Sequence, residues 1–158
     1  LKIAPFDKLH VRKALNYAVN KDLIVRHILL NRGGLANGPL SPGISGYDTN
    51  RLKGYEYNVS KARMHFREAG YQFDINGMIK NFPELTLQIN QSQLTRAIAR
   101  VVQANLADLG IKLNLKSLPK YASLASIFLT NLDGVSSAII LQLLNIIAVS
   151  TQESKSLA

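Results

Sequence analysis

The side chains with the widest chemical range in this sequence are three histidines, His10, His27 and His65, and ten carboxylates. A metal centre needs convergent ligands, which a sequence shows as spacings such as His-x-x-x-His or as histidines beside carboxylate clusters. Neither pattern occurs. Each histidine falls in its own helical pattern and reads as an ordinary surface or core residue. The carboxylates Asp7, Asp22, Asp48, Glu56, Glu68 and Asp74 are spread too widely to nominate an acid and base pair. With no cysteine in the chain, thiolate metal sites, a cysteine nucleophile, dithiol redox chemistry and a disulfide framework are excluded. There is no G-x-S-x-G elbow, Walker loop or G-x-G-x-x-G fingerprint, and Gly33-Gly34 reads as a helix stop. The inventory points away from an enzyme, and no metal or cofactor is expected.

The elements that would position any site are legible from periodicity. Val11, Ala14, Leu15, Ala18 and Val19 fall on one helical face, in a pattern opened by Phe6-Asp7-Lys8. Asn20, with Asp22 close behind, reads as the cap between that helix and a second one through Leu23, Ile24, Ile28 and Leu29, which Gly33-Gly34 should end. Residues 31–57 form a long connection rich in Gly and Pro, which argues for a fixed shape with a task. Asn58 should cap a third helix with Val59, Ala62, Phe66 and Ala69 on its inner face, closed by Gly70. Residues 84–90 alternate apolar and polar as a half-buried strand does. Ser92 should cap a helix with Leu94, Ala97, Ile98, Val101, Val102 and Leu109 inward, Gly110 should end it, and 111–116 alternates again. Strand, helix and strand over about thirty residues predict a βαβ unit with parallel strands. The fold class is therefore α/β.

Ligands of open α/β layers gather beyond the carboxyl ends of parallel strands, where loops and helix N-termini offer donors. That places Asn90, Gln91, Ser92 and Thr95 at the rim after the first strand, and Ser117 and Tyr121 after the second. These are the candidate ligand-binding residues; the simpler reading has Ser92 capping its helix and the others solvated.

The 158 residues suit one domain with a real core, and 47% hydrophobic against 18% charged residues is a globular balance. The formal net charge is +9, from 19 Lys and Arg against 10 Asp and Glu. The bases are scattered singly (Lys8, Arg12, Lys13, Lys21, Arg26, Arg32), and no basic run interleaved with aromatics occurs, so a solvated basic face is expected and not a nucleic-acid footprint. No basic stretch leads into an apolar run at Leu1-Lys2-Ile3-Ala4-Pro5, so it does not read as a signal peptide, and Leu1 in place of an initiator Met suggests a piece of something longer. The longest apolar stretch, Ala138 to Val149, is short of the roughly 20 residues a membrane span needs. It should be buried in this domain or against another copy of the chain.

Four motifs go further. Pro5-Phe6-Asp7 through Val11-Arg12-Lys13-Ala14-Leu15-Asn16-Tyr17-Ala18-Val19-Asn20-Lys21 resembles the "PFxDxxVRxALxYAxDR" stretch of the family 5 extracellular solute-binding proteins, the oligopeptide, dipeptide and nickel receptors of ABC importers. Gly38-Pro39-Leu40-Ser41-Pro42-Gly43 with Gly46-Tyr47 resembles that family's "GPLPPGxxGY" loop. Tyr57-Asn58-Val59-Ser60-Lys61-Ala62 with Glu68-Ala69-Gly70-Tyr71 resembles "YDPxKAxxLLxEAGY", and Leu106 through Leu113 resembles "LxxxGIxVxL". The four follow in the family's order over residues 5–116. Asn58 and Asn20 stand where the family has Asp, which keeps the cap and loses its charge.

The resemblance implies the second lobe of a periplasmic-binding-protein-like clamshell over residues 1–116, with a βαβ unit and flanking helices. It implies a peptide or similar small solute as ligand, an ABC permease and a first lobe as partners, and a periplasmic or cell-surface location. Residues 117–158 depart from the family's acidic and aromatic stretch: the chain has no Trp, and 134–158 carries only Glu153 and Lys155 as charges. That segment is expected to pack on the lobe or to join two copies through 138–149. A single-lobe remnant without a transport role is the alternative reading.

Overall fold

Apolar residues three and four apart build the helices of this chain, and alternating ones build its two strands. A computed structural model describes residues 4–35 and 54–117. Helix α1 (Leu9–Ala18) buries Val11, Ala14, Leu15 and Ala18 on one face. Its N-terminal neighbour Lys8 makes no cap; instead its Nζ donates to the Ala69 carbonyl at 2.8 Å. The chain turns at Asn20, whose Oδ1 accepts from the Leu23 N–H at 2.9 Å and so starts α2 (Lys21–Leu23).

Beyond Leu23 the helix widens into a π-helical turn, Ile24–Ile28, in which the Leu29 N–H reaches the Ile24 carbonyl at 3.0 Å. It ends earlier than the Gly33-Gly34 stop expected from the sequence. Leu30 and Asn31 take positive φ of 50° and 58°, and the Asn31 N–H closes the turn on the Val25 carbonyl at 3.0 Å. A left-handed residue terminates a helix whether or not it is glycine, and asparagine tolerates that conformation. Most of the 31–57 connection, including the Gly38–Tyr47 motif, lies outside the described residues.

Helix α3 (Val59–Glu68) begins where Asn58 Oδ1 accepts from the Lys61 N–H at 2.9 Å. It packs along α1 through Ala62 and Phe66, and Gly70, at φ +92°, ends it as expected. Phe66 is fully buried, with Tyr71, Phe73 and Phe82 edge-on to its ring at centroid distances of 5.4–6.4 Å. Edge-on aromatic packing of this kind adds roughly 0.5–1.5 kcal/mol per pair beyond area burial.

Strands β1 (Leu85–Ile89) and β2 (Leu113–Ser117) pair in parallel, with Leu85 opposite Leu113 and Ile89 opposite Ser117. Helix α4 (Gln93–Ala107) crosses between them and packs on both strands, on the π-helical turn and on α1. The βαβ unit is thus as the alternation and the 3.6 period dictate. Within α4 the buried face is Ile98, Ala99, Val102 and Leu106, with Leu94 and Val101 at its margins and Leu109 buried just beyond its end. The fully buried Leu109, Ile111, Val102, Val11 and Ile24 join Phe66 in one core, and among the described residues no polar or charged residue is buried. No described helix is long and apolar enough to cross a membrane. The apolar stretch 138–149 lies outside the described residues.

Candidate functional site

Parallel pairing in this register puts the carboxyl ends of β1 and β2 at one edge, since Ile89 and Ser117 are partners. The segment Asn90–Ser92 leaves β1 at that edge and leads into α4, so Asn90, Gln91, Ser92 and Ser117 share a rim. Gln91, Ser92 and Ser117 are exposed, and Asn90 and Thr95 are half-buried. Tyr121 lies outside the described residues.

One expectation is corrected here. Ser92 occupies the cap position of α4 with extended backbone, but its hydroxyl makes no capping bond. Asn90 intervenes: its Oδ1 accepts from the Ser92 N–H at 3.0 Å in a local Asx turn. The Ser92 carbonyl then starts the helix by accepting from the Arg96 N–H at 3.0 Å. Among the described residues, no side chain accepts from the first-turn N–H groups of α4, which carry the positive end of a fifteen-residue helix.

A second cluster was not legible in the sequence. His10 and His65, read above as standing apart, meet on Glu68. Helix α1 supplies His10, and α3 supplies His65 and Glu68 one turn apart. Glu68 Oε2 lies 2.8 Å from His10 Nδ1 and 2.6 Å from His65 Nδ1, and the two Nδ1 atoms are 3.3 Å apart. Both distances to the carboxylate are those of strong, charge-assisted hydrogen bonds. Tyr17 stacks on the His65 ring at 5.5 Å and 19°, and Lys61 Nζ sits over the Tyr17 ring at 5.5 Å from its centroid. The hydrogen bond from His65 is the main cause that holds the Glu68 carboxyl below the usual carboxylate range; desolvation opposes it, and the charges of His10 and His65 add smaller lowering effects. These three residues could hold a metal ion. His27 is exposed on the π-helical turn. No single stretch of sequence could show the cluster, because it depends on how two helices 55 residues apart pack.

The parallel βαβ unit makes this an α/β fold with the N-terminus of α4 at the strands' carboxyl edge, and comparison with known proteins assigns that fold to the clamshell of the periplasmic binding proteins. Residues 1–139 match the bacterial extracellular solute-binding proteins, family 5 Middle. The chain belongs to this family. It is 34% identical over 111 residues to heme-binding protein A of Haemophilus influenzae, an alignment covering 70% of this chain and 20% of the relative. Against the dipeptide-binding protein of Escherichia coli it is 31% identical over 108 residues, covering 68% and 19%. The fold superposes on the oligopeptide-binding protein AppA of Bacillus subtilis, solved with a nonapeptide, with a TM-score of 0.70 and 31% identity over 79% of this chain and 26% of that one. The chain thus spans about a fifth of the length of the curated relatives it matches.

Proposed function

We propose that this chain supplies one lobe of an extracytoplasmic solute receptor, which captures a peptide or similar small solute and presents it to an ABC permease. The observation that carries this reading is the family match over residues 1–139, made on a lobe whose βαβ edge holds the N-terminus of α4, which Ser92 does not cap. Hinge closure of two lobes around the solute is the mechanism, with no covalent step. In this reading Asn90, Gln91, Ser92, Thr95 and Ser117 line this lobe's side of the cleft, Tyr121 extends it, and a first lobe supplies the facing wall. The apolar stretch 138–149 packs on the lobe or on a second copy, and nucleic acid is no partner.

Half a cleft binds poorly. A receptor that encloses its ligand removes most of the ligand surface from water. One lobe makes about half of those contacts while the entropy lost on association, at least about 4 kcal/mol, is undiminished. Halving a binding energy of about −8 kcal/mol converts micromolar into millimolar affinity. Nitrogen-15 NMR of the purified chain titrated with tri- and tetrapeptides tests this. The expected result is fast-exchange shifts centred on Asn90–Thr95 and Ser117, with Kd near about 1 mM. Salt-insensitive binding tighter than about 10 μM would mean that one chain holds a complete site. Shifts absent from the rim would leave a remnant without a receptor role. Either result overturns the proposal.

A further inference from the structure

We propose that His10, His65 and Glu68 form a binding site for a divalent transition-metal ion of the zinc class, which staples α1 to α3. The cluster is separate from the rim residues, and the inference does not depend on the receptor reading.

Geometry carries the argument. A zinc-class ion bonded to imidazole nitrogens at about 2.0–2.1 Å in a tetrahedron sets its ligand atoms about 3.3 Å apart. The His10 and His65 Nδ1 atoms are 3.3 Å apart already. With both nitrogens turned to the same carboxylate oxygen, their spacing already matches the edge of such a tetrahedron. Glu68 Oε2, at 2.8 and 2.6 Å from the two nitrogens, sits closer than a tetrahedral edge. It has to withdraw by roughly 0.6 Å to share an ion with them. Glu68 lies at the end of α3 with its side chain 43% exposed, so it is free to do so.

The donor set fits the same class. Two imidazoles and one carboxylate suit zinc, nickel and copper, whereas magnesium and calcium prefer oxygen alone. Three protein ligands leave a position for water, and the half-exposed His10 and Glu68 leave a way in from solvent. His65 is only 13% exposed and is held flat by Tyr17, so the ring least able to move is also the one fixed in orientation. For the ion to bind, each Nδ1 gives up the proton it donates to Glu68, to solvent from a doubly protonated ring or by exchange through solvent to Nε2. The Nδ1 lone pairs then face the ion, and Glu68 exchanges two hydrogen bonds for one metal bond. One ligand comes from α1 and two from α3, so binding closes a loop of more than fifty residues and stabilises the folded chain over the unfolded one.

The test uses the whole 158-residue chain freed of metal by chelator. It is titrated with Zn²⁺ by calorimetry and with Co²⁺ by visible absorption, and melted with and without Zn²⁺. The chain holds three histidines and no cysteine, so His27→Gln is a clean control. One equivalent of Zn²⁺ is expected to bind with Kd below about 100 μM, with a rise in Tm that grows with free Zn²⁺. The Co²⁺ form should show the intense bands of a tetrahedral ion. His10→Gln and Glu68→Gln should each weaken binding at least tenfold, and His27→Gln should leave it unchanged. Binding weaker than about 100 μM, or affinity indifferent to His10→Gln, overturns the proposal. Should His65→Gln fail to fold by circular dichroism, the half-exposed His10→Gln decides alone.

Discussion

Gly70 and Gly110 close two helices with the same backbone device and differ in what surrounds them, which allows strain and packing to be measured separately. Their φ values are +92° and +81°. A Cβ at Gly70 would meet nothing within 4 Å, so Gly70→Ala carries only the left-handed penalty of about 1–2 kcal/mol. Loss of freedom in the unfolded chain offsets that by about 0.4–1 kcal/mol. At Gly110 the same Cβ would lie 3.0 Å from Met78 Cβ and 3.1 Å from the Ile79 nitrogen. That backbone cannot step aside cheaply, because the Ile79 N–H donates to the Leu109 carbonyl at 2.8 Å, one residue before the glycine. Overpacking of about 1–3 kcal/mol, or loss of that hydrogen bond at about 1 kcal/mol, is added to the strain. The expected costs are about 1 kcal/mol for Gly70→Ala and about 3 kcal/mol for Gly110→Ala. Urea unfolding followed by circular dichroism measures both, provided the m-values agree. A Gly70→Ala variant as destabilised as Gly110→Ala would refute the reasoning, since it would mean that the Met78–Ile79 contact contributes nothing.

Two further outcomes follow from the capping and charge geometry. Asn58→Ala should cost about 1 kcal/mol in the same unfolding assay, because the Lys61 N–H loses its acceptor, while Ser92→Ala should stay within about 0.5 kcal/mol because its hydroxyl caps nothing. Glu84 accepts from Lys112 at 3.2 Å and from Asn114 at 3.4 Å, which holds its carboxyl below the ordinary range, so its stabilisation is complete above its unfolded pKa and is lost as pH falls through the native value. Tm measured from about pH 5 to pH 3 should therefore fall less steeply in Glu84→Gln than in the parent chain, by a small margin because the pair is exposed.

What the sequence makes legible is what local periodicity encodes. The two strands, the helix between them and their parallel pairing follow from alternation in residues 84–90 and 111–116 and from the 3.6 period between, which no distant contact overrides. Caps are legible only in part. Asn58 and Asn20 act as their types suggest, whereas Ser92 does not, because Asn90 two residues upstream takes its N–H and sets the turn. The π-helical turn at Ile24–Ile28 carries no sequence signature, since widening a turn by one residue changes no residue type. The meeting of His10 and His65 on Glu68 is illegible for a different reason: it is a property of two helices in contact, since His10 comes from α1 and its two partners from α3. A His-x-x-Glu pair on an amphipathic helix is the one local signal that was present.

The polar ties across the fold bear on what a lobe in a closing receptor requires. Hinge motion between two bodies needs each body to hold its shape while the angle between them changes. Three of the ties among the described residues join helices and strands to one another. The Asn58 N–H donates to the Tyr17 carbonyl at 2.9 Å, joining the start of α3 to the end of α1. The Asn20 N–H donates to Asn105 Oδ1 at 2.9 Å, joining the α1–α2 corner to α4. Gln103 Nε2 donates to the Leu113 carbonyl at 2.6 Å, joining α4 to β2. Each uses a backbone group that its own secondary structure leaves unpaired, so the tie satisfies a partly buried group that would otherwise cost about 1–3 kcal/mol. Together they run from the α1–α3 seam, where His10, His65 and Glu68 meet, through α4 to the amino end of β2, where Leu113 pairs with Leu85, four residues before the rim at Ser117. A metal staple at the seam would therefore stiffen a body whose helices are already tied to one another and to the sheet by hydrogen bonds, without supplying a single contact to the solute.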